Sequence, residues 1–293
     1  MLLRAFAKVN LDLRILGLRP DGYHEVRTTL QTIEWFDEIR IELADRFEFV
    51  SSGGTHESPN DASNLVVRAV REFESAIGEP VNVHVELVKN IPSGSGLGGG
   101  SADAAVTLLG LQQICGKHLP SPEFLRCLRA LGSDVPFFAV GGRAIGIGRG
   151  DEVIPEPELR EDGAGDWLVI VLAGVRISTA EAYSWLTVSG ESPTIKGFCT
   201  QSAGGREAGL STNDFEKVVF GRHPVLSEIK SELLRLGARQ AALSGSGSAI
   251  FGLFASEEDA LKVASELSRY GTARVTRPLS RPEYLRSIFV NKS

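Results

Sequence analysis

The sequence predicts an α+β fold, because strand-like alternation and helix-like periodicity follow one another without the regular rhythm of a doubly wound sheet. Strand patterns dominate the first third of the 293 residues, and helices and strands alternate irregularly in the remainder. No segment repeats at a fixed period, which excludes solenoids and propellers. With 42% hydrophobic and 23% charged residues, the chain has the composition of an ordinary globular protein.

The N-terminal segment has the alternation of a strand. Apolar residues occupy every second position from Ala5 to Ile15, and Lys8 and Asn10 fall on the opposite face. We therefore expect one face of this strand to enter the core and the other to present Lys8 beside Asn10.

Turn residues and apolar spacing predict the elements that follow. The cluster Pro20-Asp21-Gly22 indicates a turn before Tyr23 and His24. Helical spacing of apolar residues then runs up to Gly78, a typical helix stop. The expected elements are strand segments at 26–33, 39–43 and 47–50, a helix at 65–77 and a strand at 81–87.

The second half of the chain is set apart by an acidic segment. Residues 155–166 combine acidic residues with Gly and Pro, which predicts a boundary near residue 160 and domains at 1–160 and 161–293. The stretch Ser189 to Gly209 is expected to be a loop. The remaining expected elements are helices at 122–131, 224–236 and 257–269 and strands at 168–172, 240–243, 249–254 and 272–276.

Charge and cysteine usage exclude several classes of protein. The 31 basic residues are scattered and outnumbered by 37 acidic ones, so no nucleic-acid partner is expected. Arg4 and Lys8 interrupt any N-terminal signal core, and no long apolar run follows, so neither export nor a membrane span is expected. Three cysteines at unrelated spacings predict reduced thiols in the cytoplasm. The histidines never fall at metal-ligand spacing, so no structural metal site is expected.

The segment PSGSGLGGGSADAA, residues 92–105, is a glycine-rich loop that follows a strand and opens a helix. Five of its residues between Gly94 and Gly100 are glycines, which are entropically costly to order and therefore indicate a need for bare backbone. Backbone N–H groups at a helix N-terminus attract anions, so a phosphate is the expected ligand. The alternative is a tightly turned connection without a ligand.

Two known phosphate-loop patterns fit poorly. A Walker loop ends in Gly-Lys-Ser/Thr, and no lysine lies between Lys89 and Lys117. The spacing Gly94-x-Gly96-x-x-Gly99 matches the dinucleotide fingerprint, but the acidic residue about twenty positions further on is absent. The match to a dinucleotide site is therefore weak.

Phosphoryl transfer needs a cation and a base near the acceptor hydroxyl, and Lys8 and Asp134 are the candidates. Each also has an ordinary structural interpretation, Lys8 as a solvated strand residue and Asp134 as the cap of a turn. Ser101 could likewise be a helix N-cap, and Asp103 a first-turn carboxylate that favours the helix dipole.

Three separated stretches resemble motifs of the GHMP kinase superfamily: AKVNL at 7–11, the glycine loop at 92–105 and SGSGS at 244–248. Four more resemble the branch that phosphorylates a cytidine-diphosphate-linked methylerythritol: PDGYH at 20–24, SNLVVRA at 63–69, GSDVPFF at 132–138 and ISTAEAY at 177–183. The likeness covers nearly the whole chain except residues 189–209 and the C-terminal tail. One departure is Ala102-Asp103, where some relatives carry Ser-Asn.

The resemblance implies a two-domain α+β kinase whose active site lies in the cleft between the halves and which serves the non-mevalonate route to isoprenoid precursors. ATP would be the co-substrate, with Mg²⁺ bound between its phosphates, and the 2-hydroxyl of the small-molecule substrate would be the acceptor. Asp134 would take the proton from that hydroxyl. Lys8 would pair with Asp134 and stabilise the transferring phosphoryl group.

The resemblance also implies binding roles. Asn10 would lie beside the catalytic pair, Tyr23 and His24 would hold the cytosine base, Tyr183 would stack on it, and Thr179 would meet the substrate diphosphate. The implied ATP-binding residues are Asn64, Val66 and Lys89 at the adenine, and Pro92, Ser93, Gly94, Ser95, Gly96, Leu97, Gly98, Gly99, Gly100, Ser101 and Ala102 at the phosphates.

Three alternatives stand beside this interpretation. A sister kinase would act on homoserine, mevalonate or a sugar, but the Tyr-His pair of PDGYH favours an acceptor that carries a nucleobase. A dinucleotide-dependent oxidoreductase would bind NADH in preference to ATP. A non-catalytic module that senses ATP would transfer no phosphate.

Overall fold

The computed structural model describes residues 1–53, 61–157, 166–186 and 212–290. The strands are β1 Leu2–Leu18, β2 His24–Leu43, β3 Glu48–Gly53, β4 Val83–Lys89, β5 Arg143–Gly148, β6 Glu152–Pro155, β7 Trp167–Leu172, β8 Gln240–Leu243, β9 Ile250–Phe254, β10 Thr272–Thr276 and β11 Phe289–Val290. The α-helices are α1 Leu65–Ile77, α2 Gly99–Ile114, α3 Ser121–Leu131, α4 Val135–Val140, α5 Thr179–Ser184, α6 Glu216–Arg222, α7 Pro224–Arg235, α8 Glu257–Leu267 and α9 Arg281–Ile288. The α+β prediction is confirmed.

The first sheet has the strand order β11-β1-β2-β4-β3, and β5 also pairs with β2 and carries β6. The 20 residues of β2 are long enough to pair with β5 through their first half and with β4 through their second. The two strand segments predicted at 26–33 and 39–43 are therefore parts of one strand. Helices α1 to α4 supply apolar residues to the core of this sheet, among them Val70, Phe73, Leu108 and Phe138.

The second sheet has the order β10-β7-β9-β8, and α6, α7 and α8 contribute to its core. A third apolar cluster joins Ala7 and Val9 of β1 to Ile170 of β7 and Phe251 of β9. Residues of both sheets are fully buried in this cluster. The middle of β1 therefore lies between the helices of the first sheet and the strands of the second.

The expectation that β1 has a single core face is wrong. The pairing of β1 with β2 shifts register between Phe6 and Lys8 and again between Asn10 and Asp12. Such bulges change the face to which the following side chains point. As a result Ala5 packs in the first core, whereas Ala7 and Val9 pack between the two sheets.

The end of the described chain returns to the first sheet. Strand β11 pairs with β1, where Leu2 lies opposite Val290, and Tyr284 and Ile288 of α9 are buried in the first core. The segment Arg281–Val290 therefore packs with the N-terminal half, while the boundary near residue 160 stays a prediction. The loop expected at 189–209 lies outside the described residues.

Candidate active site

The glycine loop is anchored through its carbonyl groups. The N–H of Lys8 donates to the carbonyl of Leu97 at 2.9 Å, and the N–H of Ala249 donates to that of Ser95 at 2.9 Å. The hydroxyl of Ser244 donates to the carbonyl of Gly96 at 3.0 Å. Both β1 and the segment before β9 thus hold the loop in place at the first turn of α2, whose N–H groups have no intrahelical partners.

Two groups of glycines serve different purposes in this loop. Gly96 and Gly98 have φ of +78° and +72°, and a Cβ there would meet the carbonyl of Ser244 at 2.2 Å and the Phe138 ring at 2.8 Å respectively. A Cβ at Gly99 would meet Ile91 at 2.9 Å. At Gly100, by contrast, a Cβ would contact only a methyl group of Leu65, at 3.5 Å. Gly100 therefore has no packing requirement within the described protein.

Lys8, Asn10 and Asp134 lie together beside this loop. The Lys8 ammonium donates to Oδ1 of Asn10 at 2.5 Å and lies 3.3 Å from Oδ2 of Asp134. Lys8 and Asn10 are each only 3% exposed, so Lys8 is not a solvated strand residue. The side chain of Asp134 is 40% exposed and makes no capping hydrogen bond, although the residue stands at the N-cap of α4. The structural interpretations of both residues are therefore wrong.

The side chains of Thr28 and Ser244, from two other segments, fix Asn10. Its amide donates to the Thr28 hydroxyl at 2.8 Å, and that hydroxyl donates to the carbonyl of Asp12 at 2.6 Å. The N–H of Asn10 donates to the hydroxyl of Ser244 at 3.2 Å. Because Asn10 in turn binds the Lys8 ammonium, this network sets where the lysine points.

An aromatic group borders the Lys8–Asp134 pair. The rings of His24 and Tyr183 stack with centroids 4.8 Å apart and planes 28° apart, and Phe215 meets Tyr183 edge-on at 4.8 Å. Burial lowers the pKa of His24, and burial together with the charge of Asp134 raises the pKa of Tyr183 to about 12. Tyr23 is 54% exposed, and Arg149 lies 5.0 Å over its ring.

The glycine loop, the Lys8–Asp134 pair and Tyr183 line a cleft of about 330 Å³, which is in the range of small-molecule sites. Lys8 and Asp134 are the only charged side chains among the described residues that line it. Thr179 and Ser246 face each other with their hydroxyl oxygens 3.3 Å apart. The lining residues are Lys8, Asn10, Leu13, Leu65, Ile91, Pro92, Ser93, Gly94, Ser95, Gly96, Gly98, Gly99, Gly100, Ser101, Asp134, Thr179, Tyr183, Phe215, Gly245 and Ser246.

Comparison with known proteins identifies the family. The model of the GHMP kinases N terminal domain matches residues 64–142, and that of the GHMP kinases C terminal domain matches residues 195–273. A 4-diphosphocytidyl-2-C-methyl-D-erythritol kinase from Solibacter usitatus (strain Ellin6076) is 42% identical over 96% of this chain and 90% of its own length. The chain belongs to the 4-diphosphocytidyl-2-C-methyl-D-erythritol kinase family.

Further members of this kinase family agree. The relative from Prosthecochloris aestuarii (strain DSM 271 / SK 413) is 38% identical over 93% of this chain and 96% of its own. A crystal structure of 4-(cytidine 5'-diphospho)-2C-methyl-D-erythritol kinase is 31% identical, with a TM-score of 0.77 over 95% of this chain and 99% of that chain. A homoserine kinase from Cytophaga hutchinsonii, at 21% identity and a TM-score of 0.64 over 96% of this chain and 94% of its own, shares the fold. The chain is therefore an ATP-dependent phosphotransferase, which removes the oxidoreductase and the ATP-sensing module from the alternatives.

Some residues expected to bind ATP do not line the cleft of this kinase. Val66, Leu97 and Ala102 are fully buried, because their positions on α1, in the loop and on α2 turn their side chains into apolar clusters. Asn64 caps α1 by accepting a hydrogen bond from the N–H of Val66 at 2.9 Å. The Lys89 ammonium is buried in ion pairs and does not line the cleft, and its assignment to the adenine stays a prediction.

Two helix-start expectations are also corrected. Helix α2 begins at Gly99 after an N-cap at Gly98, so Ser101 lies within its first turn and is not the cap. Asp103 lies four residues after Gly99, just beyond the first turn, and is 2% exposed. Its carboxylate pairs with Lys89 and is not a solvent-exposed first-turn group.

Sequence patterns missed several residues of the cleft. Leu13, Leu65, Ile91 and Phe215 supply apolar surface to it, and of these four only Leu65 lies within a quoted motif, SNLVVRA. Tyr23 and His24 are not among the lining residues, and His24 contacts the cleft only through its stacking on Tyr183.

Within the described ranges, no helix is long and apolar enough to cross a membrane.

Proposed function

We propose that the chain transfers the γ-phosphoryl group of ATP to the 2-hydroxyl of 4-diphosphocytidyl-2-C-methyl-D-erythritol, giving the 2-phosphate and ADP in non-mevalonate isoprenoid precursor synthesis. The observation that carries this proposal is the Lys8–Asp134 pair in the same cleft as the first turn of α2. A base, a cation and a phosphate cradle in one cleft are what phosphoryl transfer to an alcohol requires. The family supplies the identity of the acceptor.

In the proposed reaction, Asp134 accepts the proton of the acceptor hydroxyl while that oxygen forms a bond to the γ-phosphorus. The bond between this phosphorus and the β,γ-bridging oxygen breaks, and ADP leaves. Lys8 stabilises negative charge on the transferring group, and its position 3.3 Å from Asp134 supports that role. Asn10 keeps the ammonium directed into the cleft.

The residues present fit ATP at the glycine loop. Gly100 leaves open space where a side chain would otherwise stand, and it lies in the first turn of α2, where N–H groups without intrahelical partners favour a phosphate. We propose that Pro92 to Ser101 enclose the phosphates, with Gly94 at the open end of the loop.

Magnesium fits the site as an ion carried by ATP. The described residues contain no group of three acidic, histidine or cysteine side chains that could hold a metal by itself. Magnesium usually keeps several waters and is bound largely by substrate phosphates, so the ATP phosphates at Gly94 to Ser101 would hold the ion and Asp134 would stay free as the base. When bound, the ion neutralises charge on the phosphate oxygens.

The acceptor would lie on the aromatic side of the cleft. We propose that Tyr23, His24 and Tyr183 hold the cytosine, and that the hydroxyl of Thr179 meets the diphosphate next to Ser246.

Free thiols at Cys115 and Cys127 support our assignment of the reaction to the reducing cytoplasm.

ADP release by the purified chain tests the proposal. We would compare 4-diphosphocytidyl-2-C-methyl-D-erythritol with homoserine, mevalonate and galactose as acceptors. The cytidyl substrate should give the highest kcat/KM. A higher value with any of the other three would overturn the acceptor assignment and favour a sister kinase.

Lys8→Met should lower kcat about tenfold to hundredfold, the value of one hydrogen bond to a charged group, because it deletes the ammonium and keeps the apolar stem. The KM for each substrate should change less than kcat. The matched control is Lys217→Met, since Lys217 is exposed. Unchanged steady-state rates of Lys8→Met would remove Lys8 from the catalytic machinery.

Gly100→Ala should weaken ATP binding about tenfold, or about 1.4 kcal/mol, because its methyl group would occupy the space proposed for phosphate. Alanine also favours a helix, so the melting temperature should stay the same or rise. Gly221→Ala is the matched control, since Gly221 lies in α6 and a Cβ there meets nothing within 4 Å. Calorimetric titration with ATP should separate the two variants, and equal affinities would contradict phosphate binding at Gly100.

A further inference from the structure

Three charged side chains are buried together behind the glycine loop. Asp37 is 0% exposed, Lys89 is 5% exposed and Asp103 is 2% exposed. The Lys89 ammonium donates to Oδ2 of Asp103 at 2.7 Å and also to Oδ2 of Asp37. We call these three residues the charged triad. None of its members lines the cleft.

The triad connects the two ends of the loop. Lys89 is the last residue of β4, and Asp103 lies just beyond the first turn of α2, so the chain between them contains the whole phosphate cradle. Oδ1 of Asp37 accepts hydrogen bonds from the N–H groups of Asn90 at 2.5 Å and Ile91 at 2.7 Å. One lysine therefore ties the point where β4 ends to the point where α2 begins.

The ammonium lies directly behind the start of the helix. A Cβ built on Gly99 would be 3.2 Å from the Lys89 nitrogen. A displacement of Lys89 would therefore be transmitted to the first residue of α2. A loop with this many glycines is costly to order, so a fixed connection at both ends reduces the entropy that ATP binding must overcome.

Stability alone explains the triad poorly. Buried ion pairs lose much hydration, and replacing them by uncharged groups is often neutral or stabilising. Two carboxylates share one ammonium here, and Oδ1 of Asp103 is buried without a hydrogen-bond partner. Asp103 is thus the member of the triad whose buried carboxylate is least completely hydrogen-bonded.

We propose that the Asp37–Lys89–Asp103 triad is a positioning device that holds the glycine loop in its ATP-binding conformation before ATP arrives. Asp103 is a positioning residue because it acts on the loop through Lys89 and touches no substrate. Asp37 fixes the backbone at Asn90 and Ile91, and Asp103 fixes the lysine relative to α2.

The raised pKa of Asp103 separates a positioning role from a stabilising one. Burial raises the pKa of Asp103 from 3.8 to about 7, against the opposing effect of Lys89 and with the help of Asp37, the two charged groups that face it. An acid whose pKa is higher in the folded state binds its proton more tightly there, so folding stability falls as pH rises from about 4 to about 7. At pH 8 the ionised Asp103 therefore destabilises the fold.

Asp103→Asn is the decisive variant. It keeps the shape and leaves Lys89 and Asp37 as a neutral pair, so the protein should fold and its melting temperature at pH 8 should be unchanged or higher. The dissociation constant of a non-hydrolysable ATP analogue should rise about fivefold to tenfold, roughly the net value of one ordinary hydrogen bond. The kcat and the KM for the acceptor should stay within about twofold. The single change Lys89→Met is unsuitable, because it would leave two buried carboxylates without a cation.

Glu74→Gln is the matched control. Glu74 accepts a hydrogen bond from the N–H of Val81 at 2.9 Å and pairs with Arg71, so this change also converts a structural carboxylate to an amide, but outside the loop. Its affinity for the analogue should equal that of the wild type. Wild-type affinity in Asp103→Asn would overturn the proposal, and so would a lower melting temperature with both KM values raised. The ATP-analogue titrations and the melting curves need no acceptor, so a failure of this proposal leaves the proposed function standing unless the wild type itself fails to bind ATP.

Discussion

Replacing Asp134 by Asn should lower kcat by about 10²–10⁴ and leave ATP affinity nearly unchanged, because asparagine keeps the shape of the side chain and cannot accept the hydroxyl proton. The side chain of Asp134 is 40% exposed and has Lys8 as its charged neighbour at 3.3 Å. Because the Asp134 side chain is partly exposed, the asparagine amide that replaces it can hydrogen-bond to water. The change should therefore not unfold the protein. The loss should appear in single-turnover measurements, where product release does not contribute.

The control for this change is Asp45→Asn, which alters an exposed carboxylate outside the cleft. It should leave single-turnover rates and melting temperature at wild-type values. An Asp134→Asn variant with most of its wild-type rate would contradict the assignment of the base. A collapse of its melting temperature would point to a structural role of Asp134 instead.

The parts of the site that local sequence predicts are those whose side chains need no distant partner. The glycine loop is recognisable because positive φ at Gly96 and Gly98, with close contacts to backbone at Gly96 and to side chains at Gly98, excludes other residues. Lys8 and Asn10 are predicted on one face, and the structure places them in contact. Helix α1 also matches, since its apolar spacing and its stop at Gly78 are both local features.

The parts that sequence missed depend on contacts between remote segments. Lys89 precedes the loop directly, yet its ammonium pairs with Asp37, 52 residues away, and no local pattern predicts that pairing. Val66 stands beside a cleft-lining Leu65, but a step of one residue along α1 turns its side chain into the core. The bulge between Phe6 and Lys8 contains no Gly or Pro that would mark it in the sequence. Alternation alone therefore predicted that β1 has one buried face, whereas it has two.

The aromatic side of the cleft gives the second large expected effect. The uridyl analogue of the substrate should be phosphorylated at least about a hundredfold less efficiently than the cytidyl form, because a site built to hydrogen-bond a base leaves its own polar groups unpaired with the wrong one. Burial lowers the pKa of His24, so at pH 7 its ring is neutral and offers one donor and one acceptor. Cytosine presents an amino donor where uracil presents a carbonyl acceptor. The ratio of kcat/KM for the two nucleotides measures this discrimination.

Two variants of His24 separate hydrogen bonding from stacking. His24→Phe keeps an aromatic ring against Tyr183, where the histidine now stacks at 4.8 Å, and removes both ring nitrogens. His24→Ala removes the ring as well and exposes one face of Tyr183. If hydrogen bonds set the preference, both variants should lose it to the same degree, whereas a stacking origin predicts that His24→Phe keeps it. ATP affinity should be unchanged in both, and equal use of the two nucleotides by the wild type would refute the cytosine assignment while leaving the kinase assignment standing.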